Sequence, residues 1–516
     1  MNINYPETII NKSSGFTHSE SYLYDLCNNT FLSLWSYPNV FRDQGRINSP
    51  EKGLIGDGKE LCDLLVIFEN HIFIFSDKKC EFPKNSNDVK VNWSRWYKKA
   101  IRDAAKQIWG AERWLFSYPN TIYLDQKCME PFPISIPIME NAIIHRIVVA
   151  HGVSAECASY FGRNGNGSLM LCSDIVGDMH LYKESQDCKP FTIGQVDPSK
   201  GFIHVFDDVT LDIVLKTLDT VSDFATYLMK KEELFLSGKH IMVSGEEDLL
   251  ACYLTNKDSA GEYCFFSEKW DIDKFTSLAI AEGCWKEFCT DPRRKMHVDE
   301  NRISYLWDAI IERFSFHIMN GTSYYMAEPS IQSQAEVFKF LARENRFNRR
   351  ILSLALIDLL NSTPDDHRAT RIIKPRFKGA PYYLFLIVPR DLSLGTYDEY
   401  RKFRRELLGH NLPVVKLQFP DALDIIGLAT ETGFNVNHSE DITYLDAHNW
   451  TSEDNERAME YKKVLIEEGL LTTRQFSHIT YSEYPKVKRM KGSDRNNPCP
   501  CGSGKKYKNC CGKITN

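Results

Sequence analysis

Residues 58–80 read GKELCDLLVIFENHIFIFSDKKC. Two apolar runs, 64–68 and 72–75, are rich in β-branched and aromatic residues and flank the polar Glu69, Asn70 and His71, a pattern that predicts a β-hairpin. With those three residues as the loop, Asp63 faces Asp77 across the hairpin, their Cβ atoms roughly 5 Å apart. Facing carboxylates repel unless a cation lies between them, and two hard oxygen donors suit Mg²⁺ or Mn²⁺. The two-residue period of a strand puts Lys79 on the face of Asp77 and turns Lys78 away. Two acids, one lysine and a metal ion make a phosphodiesterase site.

The string Asp63, then Asp77-Lys78-Lys79, resembles the D…(D/E)xK signature of the PD-(D/E)xK nuclease superfamily, with Cys62 standing at the motif's proline. The resemblance implies a restriction-endonuclease-like α/β core in which Asp63 and Asp77 hold the metal and Lys79 orients the attacking water. It also implies accessory groups on two helices. Between residues 19 and 35, Tyr22, Leu23, Leu26, Cys27, Phe31, Leu34 and Trp35 recur at helical spacing, and Glu20 falls within the apolar arc. Glu20 either favours the helix N-terminal dipole or, as in many nucleases of this superfamily, joins the acids. The run 93–115 is the most regular helical pattern, with Gln107 inside its apolar arc. A buried amide needs partners, and the RecB-like branch of the superfamily places a glutamine there.

A chain of 516 residues, 43% hydrophobic and 12% aromatic, has material for two or three packed domains. A net charge of −6 leaves nucleic-acid contact to local basic patches. Eleven of the fifteen cysteines are scattered singly and four crowd into the tail, which is not a disulfide framework. With neither a signal-peptide pattern nor an apolar run of ~18 residues, a cytoplasmic protein is expected.

Residues 36–57, rich in Pro, Gly, Asn and Asp, read as a loop beside the site. Strands are expected at 143–150 and 201–206, a helix at 210–228, and the nuclease-like domain extends over 1–240. His145 and His151 read as ordinary core or surface groups. The α/β region 241–480 has no legible role; it holds a long helix at 333–361 and a β-α-β pattern at 382–388, 397–408 and 414–419. Arg343, Arg346, Arg349 and Arg350 share one side of that long helix, either a solvated face or a stripe that tracks nucleic-acid phosphates.

The tail, 486–516, is the most specific stretch. Cys499, Cys501, Cys510 and Cys511 stand in a CxC-x8-CC arrangement that can close one tetrahedral, structural Zn²⁺ site. The string resembles the SEC-C motif, best known at the end of the bacterial preprotein-translocating ATPase. Nine Lys or Arg, Lys505 and Lys506 among them, stand there against one acid, so the module is suited to bind nucleic acid, a ribosome or a protein. The expectation is a metal-dependent nuclease, DNA favoured, by analogy a bacterial defence or restriction effector. The rivals are a non-catalytic nucleic-acid-binding adaptor whose zinc tail docks a partner, and a purely structural fold.

Overall fold

The computed structural model describes residues 10–44, 57–162, 167–266, 276–322, 331–391, 393, 395–433, 438–467, 469, 481–484, 492–499 and 504–509. Thr17 caps the first helix, α1 (His18–Phe31), by accepting the Glu20 N–H at 3.2 Å, and the helix buries Leu23, Leu26, Cys27 and Phe31. The chain then enters a strand, β1 (Ser36–Asp43), where a loop is expected. It forms because Tyr37, Val40 and Phe41 are apolar enough to be buried; residues 45–56 of that expected loop lie outside the described residues.

The hairpin is present as β2 (Gly58–Phe68) and β3 (His71–Lys79). Phe68 pairs with His71 and Leu64 with Phe75, so the turn is the two residues Glu69 and Asn70, with Glu69 at φ 53°. Tight two-residue turns of this kind match the twist of the strands. The register is therefore one residue off the expected one. Continued toward the open end, it sets Asp63 opposite Ser76, not Asp77, and a one-residue slip exchanges the faces of all side chains.

The helix after β3 forms as α2 (Val89–Tyr97) and α3 (Asp103–Ser117), joined by a π-helical turn over Lys98–Arg102. That turn inserts a residue into the repeat and rotates everything after it. Ala104, Ala105, Ile108 and Trp109 are buried, whereas Gln107 is exposed, which corrects the expectation of a buried amide.

The next strands are β4 (Ile122–Tyr123), β5 (Ile143–His151), β6 (Met170–Val176), β7 (Thr192–Gln195) and β8 (His204–Asp207). The first sheet runs β4-β1-β2-β3-β5-β8. β5 and β8 add in parallel beyond β3, so the carboxyl end of β5 arrives beside Asp77. Two helices, Thr210–Thr217 and Val221–Leu236, replace the single one expected. A second sheet joins β6 and β7 to β9 (His240–Val243) and β10 (Ser277–Ile280), taking strands from both sides of residue 240.

A third sheet follows the order β11 (Ala369–Ile373), β12 (Tyr382–Val388), β13 (Asp424–Glu431), β14 (Asp441–Asp446). The expected strand at 414–419 is instead the end of the helix Tyr397–Gln418, which continues through Pro413 because Leu412, Val414 and Val415 are buried around it. The second parallel strand is β13. The described residues thus form a mixed α/β fold, and none of its helices is long and apolar enough to cross a membrane.

The long helix expected at 333–361 is two, Ile331–Ala342 and Arg346–Ser362, the second capped by Asn345. Its arginines face inward. Arg346 pairs with Asp219 and Asp308, Arg349 with Asp308, and Arg350 with Glu300; all three are buried. Arg343, half-exposed, pairs with Glu69 at 3.3 Å. Committed to carboxylates in this way, Arg343, Arg346 and Arg350 are not a phosphate-tracking stripe.

Candidate active site

The open end of the hairpin gathers acids from two elements. Asn39, in β1 just before the register shift between Val40 and Phe41, has φ 48°, a left-handed conformation that Asn tolerates better than most residues. Fully buried, it donates from Nδ2 to Glu20 Oε2 at 3.0 Å and to Glu60 Oε1 at 2.9 Å. One amide therefore ties the start of α1 to β2. Glu20 also accepts the Phe16 N–H at 2.9 Å, so it supports the helix start and the acidic group together.

Asp63 lies beside them, 9% exposed. Its Oδ2 accepts the Asp77 N–H at 2.5 Å and stands 3.8 Å from Lys78 Nζ. Burial raises its proton affinity; Lys78 and the Asp77 N–H oppose this, Glu60 and Glu20 add to it, and its pKa is pushed up to about 6. A carboxyl with that affinity exchanges protons near neutral pH.

Asp77 belongs to a different network. Its Oδ1 lies 2.6 Å from His151 Nε2 and its Oδ2 accepts the Ser19 hydroxyl. The other ring nitrogen of His151 meets Asp208 Oδ1 at 2.8 Å, while Asp208 Oδ2 accepts from Gly152 N–H and the Ser154 hydroxyl. Burial disfavours charge on His151, but the hydrogen bonds and charges of Asp208 and Asp77 outweigh it and hold its pKa at about 9. Ser19, His151 and Asp208 thus line up as hydroxyl, imidazole and carboxylate, with Ser19 Oγ 3.2 Å from Nε2. A protonated ring held at both nitrogens has no lone pair with which to activate a serine. This cluster serves as a clamp on the end of β3.

The clamp makes stability depend on pH with a definite sign. Because the folded-state pKa of His151 is raised, its contribution is complete below about 6.5 and is lost as pH rises through about 9. The melting-temperature gap between wild type and His151→Ala is expected to be largest near pH 6 and to shrink by pH 10. A gap that widens with pH would show that His151 is neutral in the fold.

The residues proposed from sequence fare differently. Asn39 ties Glu20 to Glu60, and the charges of both reach Asp63. Lys79 is exposed, and Lys78 is the lysine next to Asp63. Gln107 touches the site through a 3.4 Å contact with the Ser76 hydroxyl. Asp63 and Asp77 do not converge: one turns to a backbone N–H, the other to His151 and Ser19. Among the described residues no group of three or more His, Cys, Asp or Glu is placed to hold a metal ion, so this carboxylate pair does not fit Mg²⁺ or Mn²⁺ as arranged. His145 is a core group, stacked on Phe73 and 2.9 Å from His71. Sequence reasoning missed Asn39, Lys78, Ser19, His151 and Asp208; a two-residue turn at Glu69-Asn70 is the signal that would have found Lys78.

In the tail, Cys499 is buried, its N–H donates to Lys505 O at 2.8 Å, and Pro498 bridges Lys506. This antiparallel pairing sets 498–499 against 505–506; Cys501, Cys510 and Cys511 lie outside the described residues. The tail carries a SEC-C motif. The match covers residues 495–513, and motifs of this kind are in general zinc-binding.

Similar stretches occur in several proteins named protein translocase subunit SecA. That of Desulfotalea psychrophila is 30% identical over 118 residues, 23% of this chain and 12% of that protein. That of Dichelobacter nodosus is 57% identical over 37 residues, 7% and 4% respectively. That of Polynucleobacter necessarius is 86% identical over 21 residues, 4% and 2%. The chain therefore spans no more than 12% of these relatives. No solved structure matches it.

Proposed function

We propose that the chain hydrolyses phosphodiester bonds of nucleic acid, DNA favoured, at the open end of the β2–β3 hairpin. The observation that carries this reading is Asp63, titrating near neutral pH with Lys78 Nζ 3.8 Å away and Glu20 drawn in by Asn39. Asp63 takes the proton from an attacking water. Lys78 meets the charge that develops on the phosphoryl oxygens. Burial, with smaller contributions from Glu60 and Glu20, keeps the proton affinity of Asp63 high, and the His151 clamp fixes the β3 end from which Lys78 projects. Gln107 is accessory at the rim. No step is routed through a metal ion, because Asp63 and Asp77 do not converge on one.

The tail would hold one structural Zn²⁺ on Cys499, Cys501, Cys510 and Cys511, a thiolate set that leaves no open position for chemistry. Exposed Lys505 and Lys506 are suited to contact nucleic-acid phosphates. A hydrolase joined to such a docking module fits a defence or restriction effector by analogy alone. A second reading, a non-catalytic adaptor that binds nucleic acid and docks a protein or ribosome through the tail, is favoured by the engagement of both Asp77 oxygens.

One experiment separates the two. Purified protein is incubated with supercoiled plasmid, linear duplex, single-stranded DNA and RNA, each with Mg²⁺, Mn²⁺ or EDTA. Cutting that Asp63→Asn abolishes supports the hydrolase, and the EDTA arm tells whether the side chains suffice without a divalent ion. Binding without cutting under all conditions overturns it in favour of the adaptor.

A further inference from the structure

A cavity of ≈ 350 Å³, lined by no residue of the hairpin, opens where the helices Val221–Leu236, Pro292–Asn301 and Arg346–Ser362 meet. Its volume lies in the range of small-molecule sites, about 300–1,000 Å³. Six Lys or Arg side chains line it. Four have carboxylate partners: Lys216 with Asp212, Lys257 with Glu483, Arg302 with Asp299, and Arg346 with Asp219 and Asp308.

Arg294 and Arg376 have none among the described residues. Arg294 donates from Nη1 to His297 Nδ1 at 3.0 Å. Arg376 lies over the rings of Phe347 and Phe377, 5.4 and 5.2 Å from their centroids. It reaches across to Gly261, where an added methyl would lie 3.5 Å from its Nη2. His297 registers the resulting field: burial first, then Arg294, Arg350 and Lys257, push its pKa down to about 3. A guanidinium that donates to a neutral imidazole still lacks, among the described residues, its counter-anion.

Aromatic faces border the same space. Tyr305 is 49% exposed, and Tyr263 and Phe347 also line the wall. Asn301 and Glu262 add polar groups suited to the edge of a heterocycle. An inorganic anion would use the arginines and leave the aromatic surface idle. We propose that this cavity binds a nucleoside phosphate, with Arg294 and Arg376 on the phosphate and Tyr305 stacked on the base. The site is independent of the hydrolase reading, since it shares no residue with the hairpin.

The test uses the full chain, with thermal shift and calorimetry against nucleoside mono- and triphosphates of all four bases, inorganic phosphate and a short single-stranded oligonucleotide. At least one nucleoside phosphate is expected to raise the melting temperature. The double variant Arg294→Ala/Arg376→Ala is expected to weaken its binding roughly tenfold or more, while Asp63→Asn leaves it unchanged. No shift with any nucleoside phosphate, equal binding by the double variant, or inorganic phosphate binding as tightly as the nucleotides overturns the proposal. Loss of binding in Asp63→Asn also overturns it, by moving the ligand to the hairpin. Should the double variant fail to fold, Arg376→Glu, at an exposed side chain, replaces it, and unchanged binding there counts against the site.

Discussion

Lys78→Ala is expected to lower phosphodiester cleavage by ~10²–10³-fold, the usual loss when one group that stabilises developing charge is removed, whereas Lys79→Ala leaves it nearly unchanged. The turn at Glu69-Asn70 puts Lys78 on the Asp63 side of β3, 3.8 Å from its carboxylate, and leaves Lys79 exposed. Cleavage rates of the two variants on one substrate decide the matter, and a greater loss at Lys79 would mean that the register shifts when substrate binds. Asp63→Asn completes the test. It removes the proposed general base, so cutting is expected to stop, yet it also removes a buried charge. Because folding raises the Asp63 pKa from 3.8 to about 6, the folded state binds the extra proton and wild type loses stability as pH rises between those values. Asp63→Asn is therefore expected to be more stable than wild type at pH 8, by on the order of 1–3 kcal/mol, and to lose that advantage by pH 4. Urea denaturation at the two pH values reads it directly.

Arg349→Ala is expected to cost ~3–5 kcal/mol, the range for breaking one side of a buried ion pair. Arg349 is fully buried; it pairs with Asp308 at 2.6 Å and donates to the carbonyls of Glu344 and Ala342 at 2.8 and 2.6 Å. Its loss leaves those two carbonyls without their donor and Asp308 with Arg346 alone. Arg343→Ala, which breaks only a half-exposed pair with Glu69, is expected to cost less than ~1 kcal/mol. Equal, small costs at both positions would return these arginines to the surface and to the nucleic-acid stripe that the helical spacing first allowed.

Local chemistry was sufficient for the identity of several elements, though it missed β1 and read a strand at 414–419 where the helix Tyr397–Gln418 continues. β-Branched and aromatic runs placed β2, β3 and β5, the helical spacing of Leu23, Leu26 and Phe31 placed α1, and the cysteine spacing of the tail announced the SEC-C motif. Each signal arises from interactions among residues a few positions apart, so it survives in the bare string. What decides the site arises elsewhere. A turn one residue shorter than its polar run suggests exchanged Lys79 for Lys78, and a π-helical turn moved Gln107 out of the buried face. His151 reaches Asp77 from 74 positions away, and Arg346 reaches Asp219 from 127. Charge pairing over such distances depends on which strands and helices pack together, and no spacing rule in the sequence encodes it. The chain's own residues therefore named the hairpin and the tail, while only the packed sheet determined which acid, which lysine and which arginines each could use.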